Sequence, residues 1–342
     1  MRNLFGGIAL TALLVAVVGC QETPAPTATD GGPTATLAKD ATTLPEAVVD
    51  GNTITLVADV VTDETITIPD GYTLDGDGYT ITAVDPAVGH FVGAVVMNDG
   101  ATAHVTNLTV TADGLSNACD GGADRLRGIM FEGASGSITH CTVTGINQGP
   151  SGCQEGNAIE VRNAPFDGTH PNTQTVEIAH CDILDYQKTG IVANGDVDVH
   201  IHHNTVGASA TQENLAANSI QVGYGAQAVV KHNQVDGNQW MGLSDYAATA
   251  ILVYSAGAVD ISQNNIRGNS DIGIYFFADG GTCINNRVFD EGDDHPNSGY
   301  DYGVGNWGNG NTFSNNKIRG FDIPYDGEGD GTNKAIPGPT RY

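Results

Sequence analysis

The sequence predicts an all-β chain wound into a coil of short parallel strands, and three observations lead there. The composition is poor in charge (15%) and aromatics (6%) but holds 46 glycines among 342 residues, with many Asn, Asp, Thr and Val, which suits short strands joined by tight turns. A six-residue pattern of apolar, two residues, Asn-like, any residue, apolar recurs eight times: "VTNLTV" at 105, "ITHCTV" at 138, "IAHCDI" at 178, "IHHNTV" at 201, "VKHNQV" at 230, "ISQNNI" at 261, "CINNRV" at 283 and "FSNNKI" at 313. Interleaved with it is a small residue, Ile and an alternating strand: "GIMF" at 128, "AIEV" at 158, "GIVA" at 190, "SIQV" at 219, "AILV" at 250 and "GIYF" at 273. Starts of the first pattern lie 33, 40, 23, 29, 31, 22 and 30 residues apart. The shortest intervals set the repeat and the others carry insertions.

Taken in order, residues 1 to 19 read as a lipoprotein signal peptide: Arg2, an apolar run over residues 4 to 18, then "VVGC". The run is too short to span a bilayer. "VVGC" resembles a bacterial lipobox, which implies cleavage before Cys20 and lipid on its sulfur, with more than one acyl chain for stable anchoring. Residues 20 to 40 are rich in Pro, Thr, Ala and Gly without apolar periodicity, as in a flexible tether. "LPEAVVDG" is the one place where a short helical cap is expected. In "TITLVADV", "TITIPDGYTLDGDGYTITA" and "GAVVMNDGATAHVTNLTV", alternating Val, Ile and Leu mark the first coils.

Within the repeat, the fourth position holds Leu108, Cys141, Cys181, Asn204, Asn233, Asn264, Asn286 and Asn316. Five successive asparagines at one turn predict a ladder of side-chain amides about 4.8 Å apart. Cys141 and Cys181 share that slot, where parallel in-register side chains have awkward bridge geometry, so they are expected as stacked thiols. Cys283 takes an inward apolar position as a free thiol. Cys119 and Cys153 lie in long insertions on adjacent coils and are the disulfide pair to expect. The third position holds Asn107, His140, His180, His203, His232, Gln263, Asn285 and Asn315. Asn and His tolerate left-handed backbone, so this column reads as a corner. The alternative is a ladder of divalent metal sites built from the stacked imidazoles, but no carboxylate or cysteine joins them in the manner of a closed site. His200 and His202 share a strand with this corner and need not face it. No metal ligand set is assigned.

The eight registered repeats resemble the right-handed parallel β-helix of the pectate-lyase-like and NosD-like repeat proteins, over about residues 45 to 325. The resemblance implies a single-stranded right-handed parallel β-helix, a solenoid with loop insertions along one face, as one domain over residues 41 to 342.

Insertions at 113 to 127, 146 to 157, 208 to 218 and 237 to 249 all precede the second motif and should wall one groove. Outward positions on that face read Met130 and Glu132, Glu160 and Arg162, Val192 and Asn194, Gln221 and Gly223, Leu252 and Tyr254, Tyr275 and Phe277. Charge gives way to aromatics along the coil, as a glycan groove requires: Glu160, Gln221, Tyr254, Tyr275 and Phe277 are the candidate ligand-binding residues. If the protein resembles its lyase relatives in chemistry, a base and a carboxylate-neutralising cation are needed, and Lys188 and Arg162 are the cationic candidates, with Glu160, Asp185 and Glu155 nearby. The competing reading makes Glu132, Arg162 and Glu160 an ion-pair ladder across coils.

Net charge is −27, from 13 basic and 40 acidic side chains, which excludes nucleic acid as a partner on electrostatic grounds and leaves the membrane to the lipid anchor alone. A strongly anionic polysaccharide needs bridging divalent cations. Calcium is the cofactor such a chain would take; "DGEGDGTN" at 326 has Asp326, Glu328 and Asp330 at calcium-loop spacing, but Pro337 stands where the twelfth position needs a carboxylate. The expectation is a monomeric, exported cell-envelope lipoprotein that binds a carbohydrate polymer along the groove. A polysaccharide lyase or glycoside hydrolase is the second reading, and a structural or adhesive role the third.

Overall fold

A computed structural model describes residues 38–150, 152–164, 171–209, 214–242, 246–291, 300–327 and 331–335. Over the described residues the chain winds through three sheets of eleven strands each. All strand pairs are parallel except the first hairpin, and each coil contributes one strand to each sheet. This is a right-handed parallel β-helix. No helix of the described residues is long and apolar enough to cross a membrane.

One sheet carries the second motif, in strands such as Arg127–Glu132, Asn157–Asn163, Thr189–Gly195, Asn218–Gly223, Thr249–Tyr254 and Ile272–Phe277, and is called the groove sheet. The second holds Gln174–Ala179, Val197–His202 and Gln227–Lys231; the third holds Asp182–Leu184, Thr205–Val206 and Gln234–Asp236. The core follows from period-2 alternation. Val105, Ile138, Ile178, Ile201, Val230, Ile261, Cys283 and Phe313 stack in register down the second sheet, and all are 0 or 1% exposed. The third sheet supplies Val110, Val143, Ile183, Val206, Val235, Ile266, Val288 and Ile318. Each such side chain contributes about 1.5 to 3 kcal/mol on burial, and no coil could bury its own without neighbours.

The small residue that opens each groove strand has a steric cause. A Cβ on Gly128 would lie 2.5 Å from the Ala158 carbonyl oxygen, and one on Gly273 would lie 2.4 Å from Val288 Cγ1. The corner between the second and third sheets is equally constrained. Asn107, His140, His180, His203, His232, Gln263, Asn285 and Asn315 all have φ between 51° and 61°, the left-handed conformation that reverses the chain in one residue. Next to that corner, Asn204, Asn233, Asn264, Asn286 and Asn316 donate Nδ2–H to the Oδ1 of the asparagine one coil on, at 2.9 to 3.1 Å. Asn333 is the acceptor for the last of them and a sixth rung. Each Oδ1 also accepts a backbone N–H of the preceding coil, as Asn264 Oδ1 does from Asn233 at 3.0 Å. Each Nδ2 also reaches a carbonyl, Val230 in the case of Asn264.

A short 3-10 helix, Ala41–Thr43, lies just ahead of "LPEAVVDG", but the stretch itself is not helical, which corrects the expectation. It forms Ala47–Asp50, antiparallel to Thr53–Leu56, because β-branched valines precede Gly51, whose φ of 56° starts a two-residue hairpin loop. Ahead of it, Ala38–Asp40 already pairs with Thr65–Pro69, within the segment read as tether. Cys119 and Cys153 are joined by a disulfide with a Cα–Cα distance of 5.4 Å. Cys141, Cys181 and Cys283 are free and buried.

Candidate functional site

The groove sheet presents two outward columns. The inner one runs Met130, Glu160, Val192, Gln221, Leu252, Tyr275 and the outer one Glu132, Arg162, Asn194, Gly223, Tyr254, Phe277, both in strict register. The inner column is buried, its members 1 to 6% exposed. The outer column keeps more contact with solvent, and Phe277 is 43% exposed.

At the charged end, Glu160 is held by Arg127, a residue that sequence reasoning missed. Arg127 Nε donates to Glu160 Oε2 at 2.7 Å, Asn157 Nδ2 donates to the same oxygen at 2.8 Å, and both charged side chains are 2–3% exposed. Desolvation pushes the Glu160 carboxyl up, but the charge and hydrogen bond of Arg127, with help from Asn157 and Arg162, outweigh it and hold the carboxyl below its ordinary range. Arg162 lies 3.8 Å from Glu132 and donates from Nε to the Ala164 carbonyl at 2.6 Å. Lys188 is buried at the corner before its strand, with Nζ donating to the Ala216 carbonyl. Glu155, nearby in sequence, accepts from the Asp120 and Leu126 amides. Its carboxyl is raised, first by desolvation and then by Asp120.

At the other end the rings gather. Tyr254 and Phe277 stack at 5.7 Å between centroids and 23° between planes, and Tyr224 meets Tyr254 edge-on at 6.1 Å. These three sit on consecutive coils, since Gly223 pairs with Tyr254 and Tyr254 with Phe277. Behind them Tyr275 packs against Trp307 at 4.8 Å, and Trp307 against Tyr302 at 5.7 Å. Burial, then Tyr254 and Tyr300, push the Tyr275 phenol up to about 12, so it stays a neutral hydrogen-bonding group. Gln221 accepts from Asn218 Nδ2 at 3.3 Å, one coil above Leu252. The structure thus brings Tyr254, Tyr275 and Phe277 together, sets Gln221 two coils before Tyr275 with Leu252 between them, and leaves Glu160, Arg162 and Lys188 on earlier coils.

Tyr224 and Trp307 were also missed. Tyr224 follows "SIQVG" at a left-handed corner (φ 55°), outside the strand positions that the motif reads. Trp307 ends "YGVGNW", a coil whose strand Tyr302–Asn306 has Val in place of Ile. Asp326, the first candidate calcium ligand, accepts Trp307 Nε1–H at 2.7 Å; Glu328, Asp330 and Pro337 lie outside the described residues, as does Cys20.

Neither a family model nor a curated protein sequence matches the chain. Among solved structures it is similar to the Dettilon tailspike protein, at 13% identity and a TM-score of 0.48 over 83% of this chain and 60% of that one. It is also similar to a mutant of DFA-IIIase from Arthrobacter chlorophenolicus A6 in complex with DFA-III, at 12% identity and a TM-score of 0.35 over 78% of this chain and 58% of that one. A third similarity is to the periplasmic alginate epimerase AlgG, at 11% identity and a TM-score of 0.34 over 86% of this chain and 80% of that one. The chain spans about three fifths of the length of the first two.

Proposed function

We propose that the chain binds a carbohydrate polymer along the aromatic end of the groove sheet. The observation that carries this reading is the row of rings on three consecutive coils, Tyr224, Tyr254 and Phe277, with Tyr224 39% and Phe277 43% exposed. Coils repeat at about 4.8 Å, so the row runs along the coil axis and offers a continuous aromatic surface to successive parts of one extended chain. Sugar C–H groups pack on such a surface; Gln221 and Tyr275, 5 and 6% exposed, lie in the buried inner column, and Tyr275 supports Tyr254 from beneath. With a net charge of −27, the fitting polymer is neutral, or anionic with divalent cations between.

Turnover has less support. Of the two cationic candidates, Lys188 is 6% exposed and donates to a backbone carbonyl, and Arg162 lies beside the Glu132 carboxylate. We place the protein in the cell envelope, held by lipid on Cys20 through the 20 to 40 tether. A disulfide between Cys119 and Cys153 suits an oxidising compartment.

A glycan array followed by calorimetry on the polymer that binds tests the reading. Tyr254→Ala and Phe277→Ala should each weaken binding by about 1 to 2 kcal/mol, the scale of one aromatic contact, and Lys188→Ala should leave it intact. Loss of turnover in Lys188→Ala or Arg162→Ala, with release of an unsaturated product by the parent, would establish the lyase instead. No glycan bound by the parent would leave the structural or adhesive role.

A further inference from the structure

Where the second sheet meets the left-handed corner, four histidines stack on consecutive coils. Ring centroids of His140 and His180 are 5.0 Å apart, those of His180 and His203 are 5.3 Å, and those of His203 and His232 are 5.0 Å. Turn geometry explains this column. It does not explain His202, which ends its strand pointing outward and turns its ring edge-on to both His180 and His203. Ala179, its register partner on the preceding coil, leaves room for that ring. His202 Nε2 lies 2.9 Å from Glu177 Oε1, and His202 Nδ1 lies 2.9 Å from His203 Nδ1.

The carboxylate fixes the tautomer. An ionised Glu177 only accepts, so Nε2 of His202 carries the proton and its Nδ1 presents a lone pair. That lone pair faces His203 Nδ1, and one ring nitrogen of His180 completes a set of three ligand atoms within 4.8 Å of one another. We propose that His180, His202 and His203 form a binding site for a divalent transition metal ion, with zinc the best-suited class, and that Glu177 orients His202 from behind. Nitrogens bound to tetrahedral zinc stand about 3.3 Å apart, given bonds near 2.0 to 2.1 Å, so the His202–His203 pair needs only a few tenths of an ångström of opening. His180 is exposed and closes the rest by rotation. Ion entry moves the His203 proton from Nδ1 to its other nitrogen and leaves a fourth position to solvent. A carboxylate bonded to the far nitrogen of a ligating histidine is the usual support of such sites.

The surrounding charges are mixed. Lys231 is the register partner of His202 on the following coil and opposes a cation, whereas Glu177 favours one.

Titration of the full chain with zinc against a chromogenic chelator, and with cobalt followed by its visible absorption, tests the site. One zinc per chain and the absorption bands of tetrahedral cobalt are expected. His202→Gln and His203→Asn, the second of which preserves the corner, should each weaken binding at least about 100-fold, and Glu177→Gln about tenfold. His232→Asn should change it less than about twofold, because His232 lies outside the set of three. Parent affinity should fall at least about tenfold between pH 7.5 and 5.5 as imidazoles take up protons. No zinc bound at micromolar concentration, binding unchanged in folded His202→Gln, or an equal loss in His232→Asn would each overturn the proposal.

Discussion

Arg127 Nε and Glu160 Oε2 meet at 2.7 Å on neighbouring coils, with both side chains almost wholly removed from water. A pair so placed braces the groove sheet beneath its insertions. Removing one charge leaves the other buried, so Glu160→Gln should cost about 3 kcal/mol in urea denaturation.

The same carboxyl and Glu155 predict opposite pH responses. Glu160 titrates below its ordinary value in the fold, so its contribution is full above the unfolded carboxylate value of about 4.3 and is lost as pH falls through the folded one. Glu155 titrates above its ordinary value, so it costs stability at neutral pH, and that cost is relieved as pH falls from the raised value towards about 4.3. Denaturation midpoints across pH should show Glu155→Gln removing the gain and Glu160→Gln removing the deeper loss. A Glu155→Gln profile parallel to the parent's would refute the assignment.

The amide ladder should be costliest to break in its middle. Asn264 is 1% exposed and bonded on both sides, so Asn264→Ala orphans groups on two coils and should destabilise by about 2 to 4 kcal/mol. Asn333 is half-buried at the end, and Asn333→Ala should cost about 1 kcal/mol. Equal losses in chemical denaturation would contradict the ladder as the cause.

Corner residues should be interchangeable among types that accept left-handed backbone. At φ 56°, His140→Asn should fall within about 1 kcal/mol of the parent, whereas β-branched His140→Val should lose about 1 to 3 kcal/mol. Thermal unfolding of the two variants decides it.

Fractionation checks the anchor. Cys20→Ser should move the protein from membrane to soluble fractions, since lipid on that sulfur is the proposed attachment. Unchanged membrane retention would reject the lipobox.

Coil, corner and ladder were legible because every repeat makes the same demand: Ile or Val inward, a left-handed residue at the turn, an amide that must find its neighbour. Asn333 escaped because its coil returns only 17 residues after Asn316, without the apolar residue that opens the pattern. The hairpin at Ala47–Asp50 escaped because four residues carry too little periodicity to separate strand from helix. Burial of Glu160 and Tyr275 depends on partners outside the repeated pattern, Arg127 with the loop carbonyls that hold it and Trp307, for which the sequence has no period to read. For the same reason, Arg127 gave no signal as the partner of Glu160.

The asparagine stack also bears on how such a chain changes length. Each rung donates from Nδ2 to the asparagine of the following coil and accepts at Oδ1 from the asparagine of the preceding one, so every rung repeats the same pair of bonds in the same direction. Deleting the 31 residues that separate Asn233 from Asn264 would bring like against like, shortening the rod by about 4.8 Å while leaving its corner chemistry intact. Coil number is therefore a modular variable that duplication or loss of one segment can adjust, so the reach of the aromatic row and its distance from the N-terminus can change without redesign of the core.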